Sequence, residues 1–214
     1  MKKNLTIGVL GFQGDIEEHV AATQKTLQKI GVEGQVTVVK RCEEVEAIDG
    51  LIIPGGESTV IGSLSTYNKA IDAIVVKISS GMPTMGTCAG VIMLAKRTYD
   101  LTVGETRQPL IAALDATAER NTYGRQAESF EADLEIPSIG SESFRGVFIR
   151  APSIKEVGAN VQVLAKIGEQ IVAVQQNNVL GFTFHPELTE DTRLHERFIN
   201  MIIRNKSIFD PATQ

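Results

Sequence analysis

The chain has 214 residues, with 21 Lys+Arg against 26 Asp+Glu and a formal charge of −5. That length fits a single domain over 1–214 with a core large enough to fold without a metal or a disulfide. The acid excess and the absence of Trp argue against a nucleic-acid footprint or a base-stacking platform, and two cysteines are too few for a disulfide framework, which points to a reducing, cytoplasmic compartment.

The first elements alternate in type. Residues 5–10 are apolar and β-branched and predict a strand rather than a signal peptide, because Gln13, Gly14, Asp15, Glu17 and Glu18 follow where a cleavage site would stand. Ile16, Val20, Leu27 and Ile30 predict a helix over 15–30 that stops at Gly31. Strands follow at 35–39 and 50–54, helices at 58–64 and 68–79 with Gly81 as a stop, a strand at 83–87 and a helix over 89–96. No apolar run of about 18 residues occurs, since Asp72, Lys77, Lys96 and Arg97 interrupt the candidates. Pattern alone assigns nothing between 99 and 113. Beyond it, closely spaced strands are predicted at 128–136, 146–149, 161–167, 171–175 and 179–184, with Gln176-Asn-Asn178 as a hairpin turn. A helix over 191–205 closes the chain, its stripe formed by Leu194, Phe198, Ile199, Ile202 and Ile203. Strands alternating with helices predict a parallel sheet covered on both faces, with a site at the carboxyl ends of its strands.

The sharpest chemical signal is Met85-Gly-Thr-Cys-Ala-Gly-Val91, a strand, a Gly-x-Cys-x-Gly turn and a helix start. This is the nucleophile-elbow arrangement with sulfur in place of the hydroxyl, and a helix N-terminus favours the thiolate. The plain alternative is a buried structural cysteine. A thiolate needs a proton shuttle, and the chain has three histidines. His19 and His195 stand among charged neighbours and are expected at the surface. His185 follows an apolar strand and precedes Pro186-Glu187, which places a carboxylate two residues on, suited to orient the imidazole. A zinc-deaminase reading fails because no Pro-Cys-x-x-Cys follows His185, so no metal is expected. Pro54-Gly-Gly-Glu-Ser-Thr59 lacks the Gly-Lys-Ser/Thr ending of a phosphate loop, and Gly8-x-x-Gly11-x-x-Gly14 lacks the dinucleotide spacing. A Gly-Gly turn can expose N–H donors for an oxyanion, or be an ordinary strand-to-helix turn capped by Ser58 or Thr59.

Together these features resemble the class I (triad) glutamine amidotransferases. Gly8-Val-Leu-Gly-Phe-Gln-Gly14, Pro54-Gly-Gly-Glu-Ser-Thr59, Gly86-Thr-Cys-Ala-Gly90, Glu119-Arg-Asn-Thr-Tyr-Gly-Arg-Gln126, Ser129-Phe-Glu-Ala-Asp133, Gly146-Val-Phe-Ile-Arg-Ala-Pro152 and Phe184-His-Pro-Glu-Leu-Thr-Glu-Asp191 resemble, more narrowly, the glutaminase subunits of ribose-5-phosphate-dependent pyridoxal 5′-phosphate synthases. The stretch 26–35 is longer than that family leads one to expect.

The resemblance implies a three-layer, flavodoxin-like α/β fold with a mixed, mostly parallel central sheet and helices on both faces. It implies hydrolysis of glutamine to glutamate and ammonia, with Cys88 as nucleophile, His185 as acid and base, and Glu187 orienting it. Gly55, Gly56 and Ala89 fall on the oxyanion-hole positions, and Gly56, Glu57, Ser58, Arg120, Ile149 and Arg150 on the glutamine-holding ones. A (β/α)8 synthase subunit is the implied partner in a hetero-oligomer, docking near Gly11, Phe12 and Gln13. No cofactor is implied for this chain, since pyridoxal phosphate is the product of the complex. Rival expectations are a glutaminase feeding another acceptor, as in imidazole glycerol phosphate synthase, and a non-enzymatic module on the same fold.

Overall fold

The computed structural model describes residues 4–100, 104–120 and 129–208. The part of the arginine-rich motif at 121–126 and the predicted strand start at Glu128 lie outside the described residues. Five strands form the parallel half of the main sheet: β1 (Leu5–Leu10), β2 (Gly34–Val39), β3 (Gly50–Ile53), β4 (Thr84–Thr87) and β13 (Val179–Phe182), in the order β2-β1-β3-β4-β13. All four residues of β3, β4 and β13 are buried, as expected of strands covered on both faces. Beyond β13 the sheet continues through β12 (Gln170–Gln176), β10 (Ser153–Val157), β7 (Leu114–Arg120), β5 (Ala95–Asp100) and β6 (Gly104–Glu105), with β11 (Gln162–Ile167) paired to β12. β12 is antiparallel to β13, so the sheet is mixed. β8 (Phe130–Leu134) and β9 (Phe144–Phe148) form a separate antiparallel ribbon.

Helices cover both faces. α1 (Ile16–Lys29) and α6 (Arg193–Ile208) pack together on one side, where Leu27, Leu194, Phe198, Ile199 and Ile202 meet Leu5, Ile7, Val9 and Ile52. Five such buried side chains contribute about 1.5–3 kcal/mol each. The other side holds α2 (Cys42–Glu46), α3 (Ser58–Tyr67), α4 (Ala70–Ser79) and α5 (Ala89–Leu94), with Ile61, Ile74 and Met93 in the same cluster as Leu10, Leu51 and Ile53.

The expected three-layer α/β architecture is therefore present, and the predicted hairpin closes through Asn177-Asn178 between the paired Gln176 and Val179. Several ends move by two or three residues: the strand predicted at 146–149 is Phe144–Phe148, and the helix predicted at 58–64 runs to Tyr67. One boundary changes the type of element. The helix predicted over 89–96 stops at Leu94, and Ala95 turns to extended backbone to start β5. Thr98 and Tyr99 favour a strand there, and β5 runs parallel beside β7. β5, β6, β7, β10 and the single turn of α2 have no counterpart among the predicted elements.

Candidate active site

Parallel strands end on one edge of a sheet, and here four of those ends converge. The loop after β1 brings Gln13, Gly14 and Asp15, the loop after β3 brings Gly56, Glu57 and Ser58, the turn after β4 brings Cys88 and Ala89, and the segment after β13 brings His185. Arg120 at the end of β7 and Ile149, Arg150 and Pro152 after β9 close a cavity of about 250 Å³, the scale of a small metabolite rather than a dinucleotide.

Cys88 sits in a strained turn with φ 47° and ψ −107°, a region an L-residue enters only when its surroundings impose it. Its N–H donates to the Phe182 carbonyl (2.9 Å), pinning the turn to β13. The small residues beside it are sterically required: a Cβ on Gly90 would lie 2.0 Å from the Ile53 carbonyl oxygen. Cys88 is 8% exposed, and its sulfur lies 3.9 Å from the Ile149 carbonyl oxygen.

His185 is buried, its N–H bonded to the Val147 carbonyl (2.8 Å). Its Nδ1 lies 2.7 Å from Glu187 Oε1 and 3.2 Å from Asp15 Oδ2. Nε2 has no hydrogen-bond partner, which leaves that edge of the ring for the sulfur. Burial alone would lower the imidazole's pKa, but the side chains of Asp15, Cys88 and Glu187 outweigh it and push it up to about 12. Glu187, with its side chain fully buried, is pushed up by desolvation while His185 pulls against that. Asp15 is held below the ordinary carboxylate range, first by its hydrogen bond to His185. Gly55 makes this approach possible, since a Cβ there would meet His185 Cε1 at 2.6 Å and Asp15 Oδ2 at 2.7 Å. Asp15, His185 and Glu187 are also a set whose ligand atoms lie within 4.8 Å of one another and could hold a metal ion. A proton on His185 Nδ1 would face both carboxylates as well.

On the far wall, Arg120 donates from Nη2 to Glu57 Oε1 (2.5 Å) and from Nη1 to Gln108 Oε1 (2.9 Å), and Ser58 donates to the same Gln108 oxygen (3.3 Å). A guanidinium and a carboxylate side by side form a pair able to exchange partners with an amino acid's carboxylate and ammonium. Among the expected docking residues, Gly11 is buried, Phe12 is half-buried against the core and Gln13 is exposed. The side-chain carbonyl of Gln13 accepts the Glu57 N–H at 2.5 Å.

Residues 9–204 match the family described as the SNO glutamine amidotransferase family. The chain belongs to that family. Its relatives include the pyridoxal 5′-phosphate synthase subunit PdxT of Nitrosopumilus maritimus, 47% identical over 94% of this chain and 98% of the relative. The subunit of the same name from Pyrococcus furiosus is 48% identical over 92% and 98%. A solved glutamine amidotransferase superposes with a TM-score of 0.79 at 44% identity, covering 92% of this chain and 98% of that one. PurLQS from Thermotoga maritima, at 16% identity and a TM-score of 0.63 over 96% of this chain and 100% of that one, shares the fold.

The fold thus gathers Cys88, His185 and Glu187 and brings Gly56, Glu57, Ser58, Ala89, Arg120, Ile149 and Arg150 to the same cavity, with Gly55 behind His185. Asp15 and Gln108 escaped sequence reasoning, because their partners are distant in the chain. His19 and His195 correct an expectation: both are buried, at 0% and 1% exposure. Charged neighbours in sequence point elsewhere on a helix. His19 lies on the inward stripe with Ile16, Thr23 and Thr26, and His195 on that of Leu194, Phe198, Ile199 and Ile202.

Proposed function

We propose that this chain is the glutaminase of a pyridoxal 5′-phosphate synthase, hydrolysing glutamine at Cys88 and passing ammonia to a (β/α)8 synthase subunit in a hetero-oligomer. The single observation that supports the chemistry best is a cysteine in a strained elbow beside a histidine shared by two carboxylates, at the floor of a cavity walled by the Glu57–Arg120 pair. The acceptor is taken from the names of the relatives, and a cytoplasmic setting fits the two free cysteines. None of the described helices is long and apolar enough to cross a membrane.

In this reading His185 takes the proton of the Cys88 thiol, giving a thiolate–imidazolium pair. The sulfur attacks the glutamine carboxamide carbon, and backbone N–H groups of Gly56 and Ala89 receive the oxyanion, with Gly55 shaping the turn. Collapse breaks the C–N bond as His185 gives its Nε2 proton to departing ammonia, leaving a glutamyl thioester. Water then adds to the thioester carbonyl while His185 takes its proton. The C–S bond breaks, glutamate leaves, and the thiolate–imidazolium pair is restored. Glu187 and Asp15 hold Nδ1–H throughout, so the ring always presents Nε2. Glu57, Ser58, Arg120, Ile149 and Arg150 line the space for the amino-acid end. Gly11, Phe12 and Gln13 are the proposed docking segment, and Gln13 touches the turn that carries Gly56.

A glutamine-to-glutamate assay with and without the purified synthase tests this. The expected result is little turnover alone and strong activation on mixing. Full activity without the partner contradicts the proposed dependence, and no activity with it contradicts the glutaminase assignment.

A further inference from the structure

Two of the chain's three histidines, His185 and His19, flank Glu187, and the third, His195, stands beside His19. His185 takes the outer oxygen, Oε1. Beside the inner one, Oε2, lies Nε2 of His19 at 3.3 Å, and the His195 ring follows with its centroid 6.0 Å from that of His19. His19 comes from α1 and His195 from α6, the two helices that pack on this face. No hydrogen bond reaches Oε2 among the described residues, although a buried carboxylate needs donors on both oxygens. The same His19 nitrogen lies 2.9 Å from Thr87 Oγ1, and Thr87 is the residue immediately before Cys88.

These two contacts select a tautomer. A bare Nε2 would turn its lone pair toward a carboxylate at 3.3 Å, which is repulsive. A protonated Nε2 donates to the hydroxyl and turns the same positive edge of the ring toward the carboxylate. Nδ1 is buried without a partner, as suits a neutral ring with no second proton. The titratable groups around the ring are Glu187 and His185 beyond β13, His195 on α6 and Asp15, which caps the start of α1 and whose carbonyl accepts the His19 backbone N–H, while β4 contributes the uncharged Thr87. Burial, with His195 and His185 adding like charge, holds the His19 pKa well below its usual value.

We propose that His19 is a positioning residue of the glutaminase site, a neutral Nε2–H imidazole that donates to the Thr87 hydroxyl and turns the same N–H edge toward the inner oxygen of Glu187. It joins the His185–Glu187 pair to the strand that delivers Cys88, and it keeps Glu187 ionised with Oε1 aimed at His185. This role rests on the proposed glutaminase reading of the site.

Long-range proton–nitrogen NMR of the histidine rings in the full chain tests it, because three rings are assignable by substitution. The expected wild-type spectrum shows His19 neutral with its proton on Nε2 between about pH 6 and 9, and an Nδ1–H tautomer overturns the proposal without any variant. His19→Leu is expected to lower the His185 titration by about 1–3 pH units, because Glu187 takes up a proton and stops supporting the imidazolium. His19→Gln places an amide N–H near the Nε2 position and is expected to restore most of that loss. An unchanged His185 titration in His19→Leu overturns the proposal. A wild-type His185 that is neutral at about pH 8 instead contradicts the ion-pair reading of the site itself, whatever the tautomer of His19, and this inference falls with it.

Discussion

His195 offers a test of the buried histidine cluster through stability alone. It is 1% exposed, both ring nitrogens lack hydrogen-bond partners, and burial pushes its pKa down to about 4 from 6.5. The unfolded chain therefore binds a proton at His195 below pH 6.5 that the folded chain refuses until about pH 4, so stability falls as pH falls across that window. At about 1.36 kcal/mol per pH unit, the gap amounts to roughly 3 kcal/mol. His185 does not blur the result. Its folded pKa is raised, so its stabilisation is fully present below about 6.5 and is lost only as pH rises toward about 12. His19 is lowered like His195, chiefly by burial that the variant keeps, and adds acid sensitivity of its own, as does Asp15. The smaller part of the His19 shift that comes from His195 is removed with it and adds to the same difference. The substitution His195→Leu removes two unpartnered nitrogens without breaking a hydrogen bond, so stability at about pH 7.5 is expected to stay within about 1.5 kcal/mol of wild type. Urea unfolding at about pH 7.5, 6, 5 and 4.5 should then show the wild type losing up to about 2–3 kcal/mol more than the variant on acidification. Parallel curves of stability against pH would refute the reasoning.

Two further outcomes follow from the site. Gly90→Ala places a Cβ against the Ile53 carbonyl oxygen at 2.0 Å, and backbone cannot retreat as a side chain can, so a loss of about 1–3 kcal/mol or more is expected in urea unfolding. A wild-type midpoint would show that the turn has slack. Arg120→Ala removes the guanidinium beside Glu57 and is expected to raise KM for glutamine about 10–100-fold with kcat changed much less, the cost of one charge-assisted pairing. An unchanged KM in steady-state assays with the synthase present would remove Arg120 from the substrate wall.

The parallel half of the sheet is legible in the sequence because β1, β3 and β13 are short apolar runs, because β4 stands between Pro83 and the Gly-x-Cys-x-Gly turn, and because α1 and α6 carry apolar stripes. The antiparallel half is less so. β7, Leu114–Arg120, alternates weakly and ends in charge, and β10 carries Lys155 and Glu156 at its exposed positions, so neither stands out from loop composition. Cys88, His185 and Glu187 are readable from local motifs, since a turn and a strand end each have a sequence signature. Asp15 is not, because its role depends on β1 and β13 ending at the same sheet edge, and Gln108 is not, because it acts only by bridging Ser58 and Arg120. The inner histidines mislead because their charged neighbours in the chain are not their neighbours on the helix face.

That Cys88 is the nucleophile for glutamine in this cavity is the claim from which the rest follows. A glutamine-mimicking electrophile, added to the chain in the presence of the synthase and followed by intact-mass and peptide mapping, addresses it directly. The expected result is one adduct, on Cys88, suppressed by excess glutamine and absent from Cys88→Ala, which also releases no ammonia. Labelling that falls on Cys42 instead, or ammonia release that survives in Cys88→Ala, would contradict it.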